Sequence, residues 1–193
     1  MKTYLRAIAL LHGPDALAQI STGTAASLAG RRDLAFTQAE WIEREGKTIT
    51  RRILTLDEAR SHPTFSAITQ PRANFGPLAL NRIHVMGVVN VTPDSFSDGG
   101  VNSQSGVAIT AARQMIEDGA SLLDIGGEST RPGAVDVSII EEQARIMPVI
   151  MALAQNHLVS VDTRKSGLMR EALGAGAAFI NDVSALQYDP ASA

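Results

Sequence analysis

Residues 82–193 predict an α/β fold, a parallel sheet with helices packed outside it, and three observations carry that prediction. Short apolar runs alternate with segments of helical periodicity through four strands. The first run, His84 to Val91 (HVMGVVNV), is nearly continuous in apolar residues, the mark of a strand buried on both faces in a parallel sheet. Every run ends, at its C-terminal edge, in polar or acidic residues. The pattern by itself leaves open whether the sheet is doubly wound or closed into a barrel.

The elements follow in order. After the first strand, residues 105–118 place Val107, Ala111, Met115 and Ile116 at helical spacing, and Gly119 suits a C-cap. Leu122 to Ile125 reads as the second strand. Val137 to Ala154 reads as the second helix, with Glu141 and Glu142 near its first turns, Ile146, Val149, Ile150 and Leu153 on its apolar side, and a kink expected at Pro148. Leu158 to Asp162 is the third strand. A helix over Gly167 to Leu173 ends at Gly174 and Gly176, and Ala178 to Asn181 is the fourth strand.

Residues 1–80 differ in texture, mixing charged residues with scattered apolar ones. Thr48 to Leu54 alternates like a strand, Leu56 to Arg60 resembles a helix start, and Pro63, Pro71 and Pro77 punctuate the rest. No chemistry is legible there. The expected division is therefore an N-terminal extension over residues 1–80, an accessory subdomain or a cover, and an α/β domain over 81–193.

Composition excludes several classes. The 193 residues are 45% hydrophobic with a net charge of -3, which suits a globular protein and disfavours a general nucleic-acid binder. With no cysteine there is neither a disulfide framework nor a thiolate metal site. The apolar run Ile8 to Leu11 is too short for a secretory leader, and no window approaches the roughly 18 apolar residues of a membrane span. A cytoplasmic location, with no membrane partner, is the expectation.

The chemistry lies at the strand ends. Strand one runs into Asn90, Thr92, Asp94 and Ser95; strand two holds Asp124 and leads to Gly126-Gly127-Glu128-Ser129-Thr130-Arg131-Pro132-Gly133; strand three ends at Asp162-Thr163-Arg164-Lys165; strand four ends at Asn181-Asp182. In a barrel of βα units these positions converge on one mouth. Each has an ordinary reading as well. Asn90 could satisfy local backbone, Glu128 could be a solvated loop acid, and Arg131 an exposed ion-pair partner. Asp162 could cap the next helix, and Asn181 and Asp182 could be turn residues. Those readings require the same coincidence at all four strands. Arg131 offers a planar fork for phosphate or carboxylate oxygens, and the glycine pairs let backbone N–H groups approach an anion. A buried Asp162 and Asn181 suit a flat heterocycle presenting amino and ring N–H donors.

At these residues the chain resembles the dihydropteroate synthases. Met86 to Gly100 (MGVVNVTPDSFSDGG) is similar to their first signature and Gly126 to Gly133 (GGESTRPG) to their second. Ser160 to Thr163 with Gly176 to Val183 is similar to the strands that read the pterin. The resemblance implies a (β/α)8 TIM barrel, of which about the first four βα units are present. It also implies a condensation of 6-hydroxymethyl-7,8-dihydropterin diphosphate with p-aminobenzoate to dihydropteroate and diphosphate. Carried over residue by residue, Asn90 would bind Mg²⁺, Thr130 the diphosphate, and Asp162 and Asn181 the pterin ring. Asp94, Ser95 and Phe96, with Thr130, Arg131 and Pro132, would close over the site and frame a p-aminobenzoate pocket where sulfonamides compete. Asp94, Arg131 and Asp162 are the expected catalytic residues.

A barrel of this class takes roughly 250 residues, and the family's later motifs are missing. These are a further acidic pterin ligand, a lysine after a glycine-rich loop and an Arg-x-His phosphate clamp. The expectation is a fragment, a truncated frame or half of a split protein with little or no activity alone, and a homodimer when full length. Two alternatives stand beside it: a non-catalytic truncated barrel, and a methyltetrahydrofolate-dependent methyltransferase, which has no need of a diphosphate loop.

Overall fold

The computed structural model describes residues 2–92, 101–129 and 133–192, and the chain divides into two compact units, Met1–Ile83 and His84–Ala193. The first unit contains β1 (Lys2–His12), α1 (Gly13–Ser21), β2 (Ala26–Ser27), β3 (Leu34–Glu45), β4 (Thr48–Thr55), α2 (Leu56–Arg60) and α3 (Phe65–Thr69). β3 is the spine of an antiparallel sheet. It pairs with β1 from Lys2↔Arg44 to His12↔Leu34, and with β2 and β4. Gly46, at φ +58, opens the two-residue turn into β4, a backbone conformation that glycine adopts without a Cβ penalty. Thr55 and Glu58 form a capping box, Glu58 N donating to Thr55 Oγ1 and Thr55 N to Glu58 Oε2, which fixes the start of α2. Leu5, Phe36, Ala39, Leu54, Leu56 and Ala59 make the core. The strands β1 and β3 were not legible in the sequence; in β3 the charged residues Glu40, Glu43, Arg44 and Glu45 hide the alternation.

The second unit alternates β5 (Met86–Asn90), α4 (Val101–Glu117), β6 (Leu122–Gly126), α5 (Ile139–Leu153), β7 (Val159–Asp162), α6 (Ser166–Gly174) and β8 (Phe179–Asn181). The sheet order is β5-β6-β7-β8, every pair parallel. Odd and even positions separate cleanly. Val89, Val91, Leu123, Ile125, Val159 and Val161 pack on Ala108, Ala112, Ile146, Val149, Ile150, Leu153, Leu168 and Ala172 of the helices, forming one core. The other face carries Met86, Val88 and Asn90, then Asp124 and Gly126, then Ser160 and Asp162, then Phe179 and Asn181.

Three expectations change. β5 is not covered on both faces among the described residues: Met86 and Val88 are 44% and 53% exposed, because the helices cover only the odd side. α4 starts at Val101, earlier than its apolar periodicity suggests, and α5 starts at Ile139, where Ser138 Oγ accepts from Glu141 N. Pro148 lies within α5 on its exposed side and the helix continues through it. No helix of the described residues is long and apolar enough to cross a membrane.

Candidate functional site

The register brings strand ends into one row. Asn90 pairs with Gly126, Gly126 with Asp162, and Asp162 with Asn181, so Asn90, Asp162 and Asn181 leave the same face at the same edge. Adjacent strands lie about 4.8 Å apart, so the row spans the width of a small heterocycle with its substituents. Asp124 lies in the row below, paired with Val88 and Ser160. Gly126 keeps the flank of Asp162 open: a Cβ there would touch the Asp162 carboxylate at 3.4 Å.

Asp162 is half-enclosed, and among the described residues no cation reaches it. Burial pushes its carboxyl up, and Asp124, Glu142, Asp182 and Glu128 add to the effect, to about 6. It does not cap α6, whose N-cap is Lys165 without a side-chain bond. Asn181 donates from Nδ2 to Asp124 Oδ2 at 2.8 Å. Asp124 is 4% exposed, and its Oδ1 is buried with no partner among the described residues. Asn181 itself is exposed, contrary to the expectation of a buried amide, because β8 is the last strand of the sheet. Asp182 is a turn residue: it accepts from the N–H groups of Ser184 and Leu186 and from Ser184 Oγ.

A second acidic cluster lies beside this row. Glu128 is 8% exposed, not a solvated loop acid. It accepts from Arg164 Nε and Nη2 (3.2 and 3.0 Å), from Lys165 Nζ (2.8 Å) and from Val137 N (3.0 Å). Burial pushes its carboxyl up, but the bonds from Arg164, Lys165 and Val137 outweigh burial and bring it down to about 2. Lys165 also binds Glu142, which is fully buried on α5. Arg164 reaches Asp136 at 2.8 Å and lies over the Tyr188 ring at 4.1 Å. Gly127 packs so closely on α5 that a Cβ would meet Ile146 Cγ2 at 2.8 Å, and its carbonyl accepts from Arg145 Nη1. The Gly126-Gly127 pair thus gives the carboxylate room on one side and helix contact on the other.

The sequence reading did not foresee the partners of Asp124, Glu142 and Lys165. A charge inside the apolar run LLDIG was the available signal for Asp124; Glu142 looked like an ordinary first-turn acid. Asp94, Ser95, Phe96, Thr130, Arg131 and Pro132 lie outside the described residues. Among the described residues no three His, Asp or Glu side chains are grouped to hold a metal ion. Among the described residues, Asn90 offers one exposed amide side chain to the Mg²⁺ that the resemblance implies.

The family model described as pterin binding enzyme matches residues 86–193. The chain belongs to the pterin-binding enzymes. The dihydropteroate synthase of Escherichia coli (strain K12) is 51% identical over 111 residues, 56% of this chain and 39% of that protein. That of Bacillus subtilis (strain 168) is 52% identical over 108 residues, 55% and 38%. Xanthomonas albilineans dihydropteroate synthase, solved with 4-aminobenzoic acid, superposes with a TM-score of 0.55 at 53% identity, over 59% of this chain and 43% of that one. The Burkholderia cenocepacia enzyme complexed with 7,8-dihydropteroate gives 0.52 at 44% identity, over 60% and 38%. The chain therefore spans about two-fifths of the length of these curated relatives. Within that span its four parallel strands and the three helices between them are a partial (β/α)8 barrel of the pterin-binding type.

Proposed function

We propose that this pterin-binding chain carries the ring-reading half of a dihydropteroate synthase site. That enzyme condenses 6-hydroxymethyl-7,8-dihydropterin diphosphate with p-aminobenzoate to dihydropteroate and diphosphate in folate biosynthesis. One observation carries the reading: Asp162, a carboxyl that no cation among the described residues reaches, shares an edge row with Asn90 and Asn181, flanked by the side-chain gap at Gly126. Asp162 and Asn181 would accept hydrogen bonds from the ring's N–H donors. As the C–O bond to diphosphate breaks and the leaving group takes the electron pair, the pterin becomes cationic, and the Asp162 carboxylate stabilises it. The amine nitrogen of p-aminobenzoate then forms the C–N bond and releases its proton. No covalent nucleophile is required.

Thr130 is assigned to the diphosphate. Asp94, Ser95, Phe96, Arg131 and Pro132 are assigned to the loops that close on p-aminobenzoate and keep water from the cation, with Arg131 balancing the departing charge. Sulfonamides would compete for the same loops. The amide oxygen of Asn90 is assigned to a Mg²⁺ carried in on the diphosphate, which would neutralise leaving-group charge. A cytoplasmic location, and a homodimer when full length, complete the reading.

Calorimetric titration of the chain with the pterin diphosphate tests it. Saturable binding is expected, weakened tenfold or more by Asp162→Ala and by Asn181→Ala. Equal affinity in both variants would overturn the assignment, as would tight methyltetrahydrofolate binding with none of the diphosphate.

A further inference from the structure

We propose that Asp124 is a positioning residue that decides which ring edges the rim accepts, by holding the Asn181 amide with its carbonyl oxygen turned away from the sheet floor and toward the ligand. The inference rests on the reading of this rim as a ring-binding site. Asn181 is exposed at the last strand of the sheet, where an amide could otherwise present either its oxygen or its nitrogen, two groups of nearly equal size and opposite hydrogen-bonding sense. Its Nδ2 is committed to Asp124 Oδ2 at 2.8 Å. Oδ1 lies across Cγ from Nδ2, so the bond fixes an acceptor at the rim. A carboxylate can only accept, which makes Asp124 a one-way lock that an amide or a hydroxyl could not be.

Asp124 is itself fixed. It is 4% exposed in the middle of β6, between Val88 and Ser160 in register. Its second oxygen, Oδ1, is buried with no donor among the described residues, an arrangement that costs stability. With Asp162 one row above, the rim then offers acceptors from two neighbouring strands. It selects planar heterocycles with adjacent N–H donors, such as a 2-amino-4-oxo ring, and rejects rings that present acceptors there.

The test has a ligand-free arm and a ligand arm, both on the full chain labelled with ¹⁵N. In the wild type, the Asn181 side-chain amide, assigned by its loss in Asn181→Asp, is expected to show one hydrogen shifted downfield and exchanging at least tenfold more slowly than that of exposed Asn156. In the isosteric Asp124→Asn it moves toward the Asn156 behaviour, because a neutral amide partner allows both orientations. In the ligand arm, the wild type prefers 6-hydroxymethylpterin over the same ring lacking its 2-amino group by tenfold or more, and Asp124→Asn compresses that ratio toward one. An Asn181 amide unchanged by Asp124→Asn overturns the proposal whether or not any ring binds, and so does an unchanged selectivity ratio. Should Asp124→Asn fail to fold, the wild-type spectrum decides: an Asn181 amide indistinguishable from that of Asn156 overturns it. Failure of the wild type to bind either ring, with the amide signature intact, removes the pterin reading and leaves the amide lock standing.

Discussion

Asp162 and Glu128 stand at the same end of one sheet, the former closing β7 and the latter two residues beyond β6, yet their surroundings drive them apart. Burial pushes both carboxyls up. At Glu128 two cations and a backbone N–H reverse the effect, and the group settles at about 2. At Asp162 the neighbours are other acids, Asp124 first among them, and the group rises to about 6. The two differ in whether a cation among the described residues is within reach. The paired acid ties the β6 loop to the β7 loop and to α5; the unpaired acid is held at a cost that a bound cationic ring would relieve.

Removing the cation that makes the difference should have the largest effect. Lys165→Met leaves the fully buried Glu142 and the nearly buried Glu128 short of a partner, and is expected to cost about 3–5 kcal/mol in urea unfolding. Adding Glu142→Gln should restore part of it. A loss below about 1 kcal/mol would mean that the cluster does not hold the loops.

Acid should act next. Because the folded carboxyl of Glu128 is depressed, its contribution is fully present above the ordinary value near 4.5 and is lost as pH falls through about 2. About 2–3 kcal/mol is at stake, and Glu128→Gln should flatten that part of a stability-against-pH curve. Asp162 has the opposite sign. Its folded carboxyl is raised, so its contribution is present below the ordinary value near 3.8 and lost as pH rises through about 6. Asp162→Asn should therefore stabilise the chain by about 1 kcal/mol at pH 8, screening by solvent considered, and by almost nothing at pH 4. Equal effects at both values would break the contrast between the two acids.

Much of this was legible from the chain. The alternation of apolar runs with helical periodicity, clearest in α5, gave the parallel sheet. The polar residue closing each strand gave the row Asn90, Asp162 and Asn181. Less was legible where a residue's meaning depends on a distant partner. Glu142 reads as a helix-start acid until Lys165 is brought to it from 23 positions away, and Glu128 reads as a loop acid until Arg164 arrives from 36. In the first unit, β3 escaped notice because its charged residues mask the pattern that its pairing with β1 makes obvious.

By itself the sequence determined which residues stand at the strand ends and that the strands run parallel, since both follow from local periodicity and strand order. Only the tertiary structure decided which of those acids meet cations and which meet other acids. The shift of a carboxyl depends on charges a few ångströms away in space, and the chain brings Asp124, Glu142 and Asp182 toward Asp162 from three different elements.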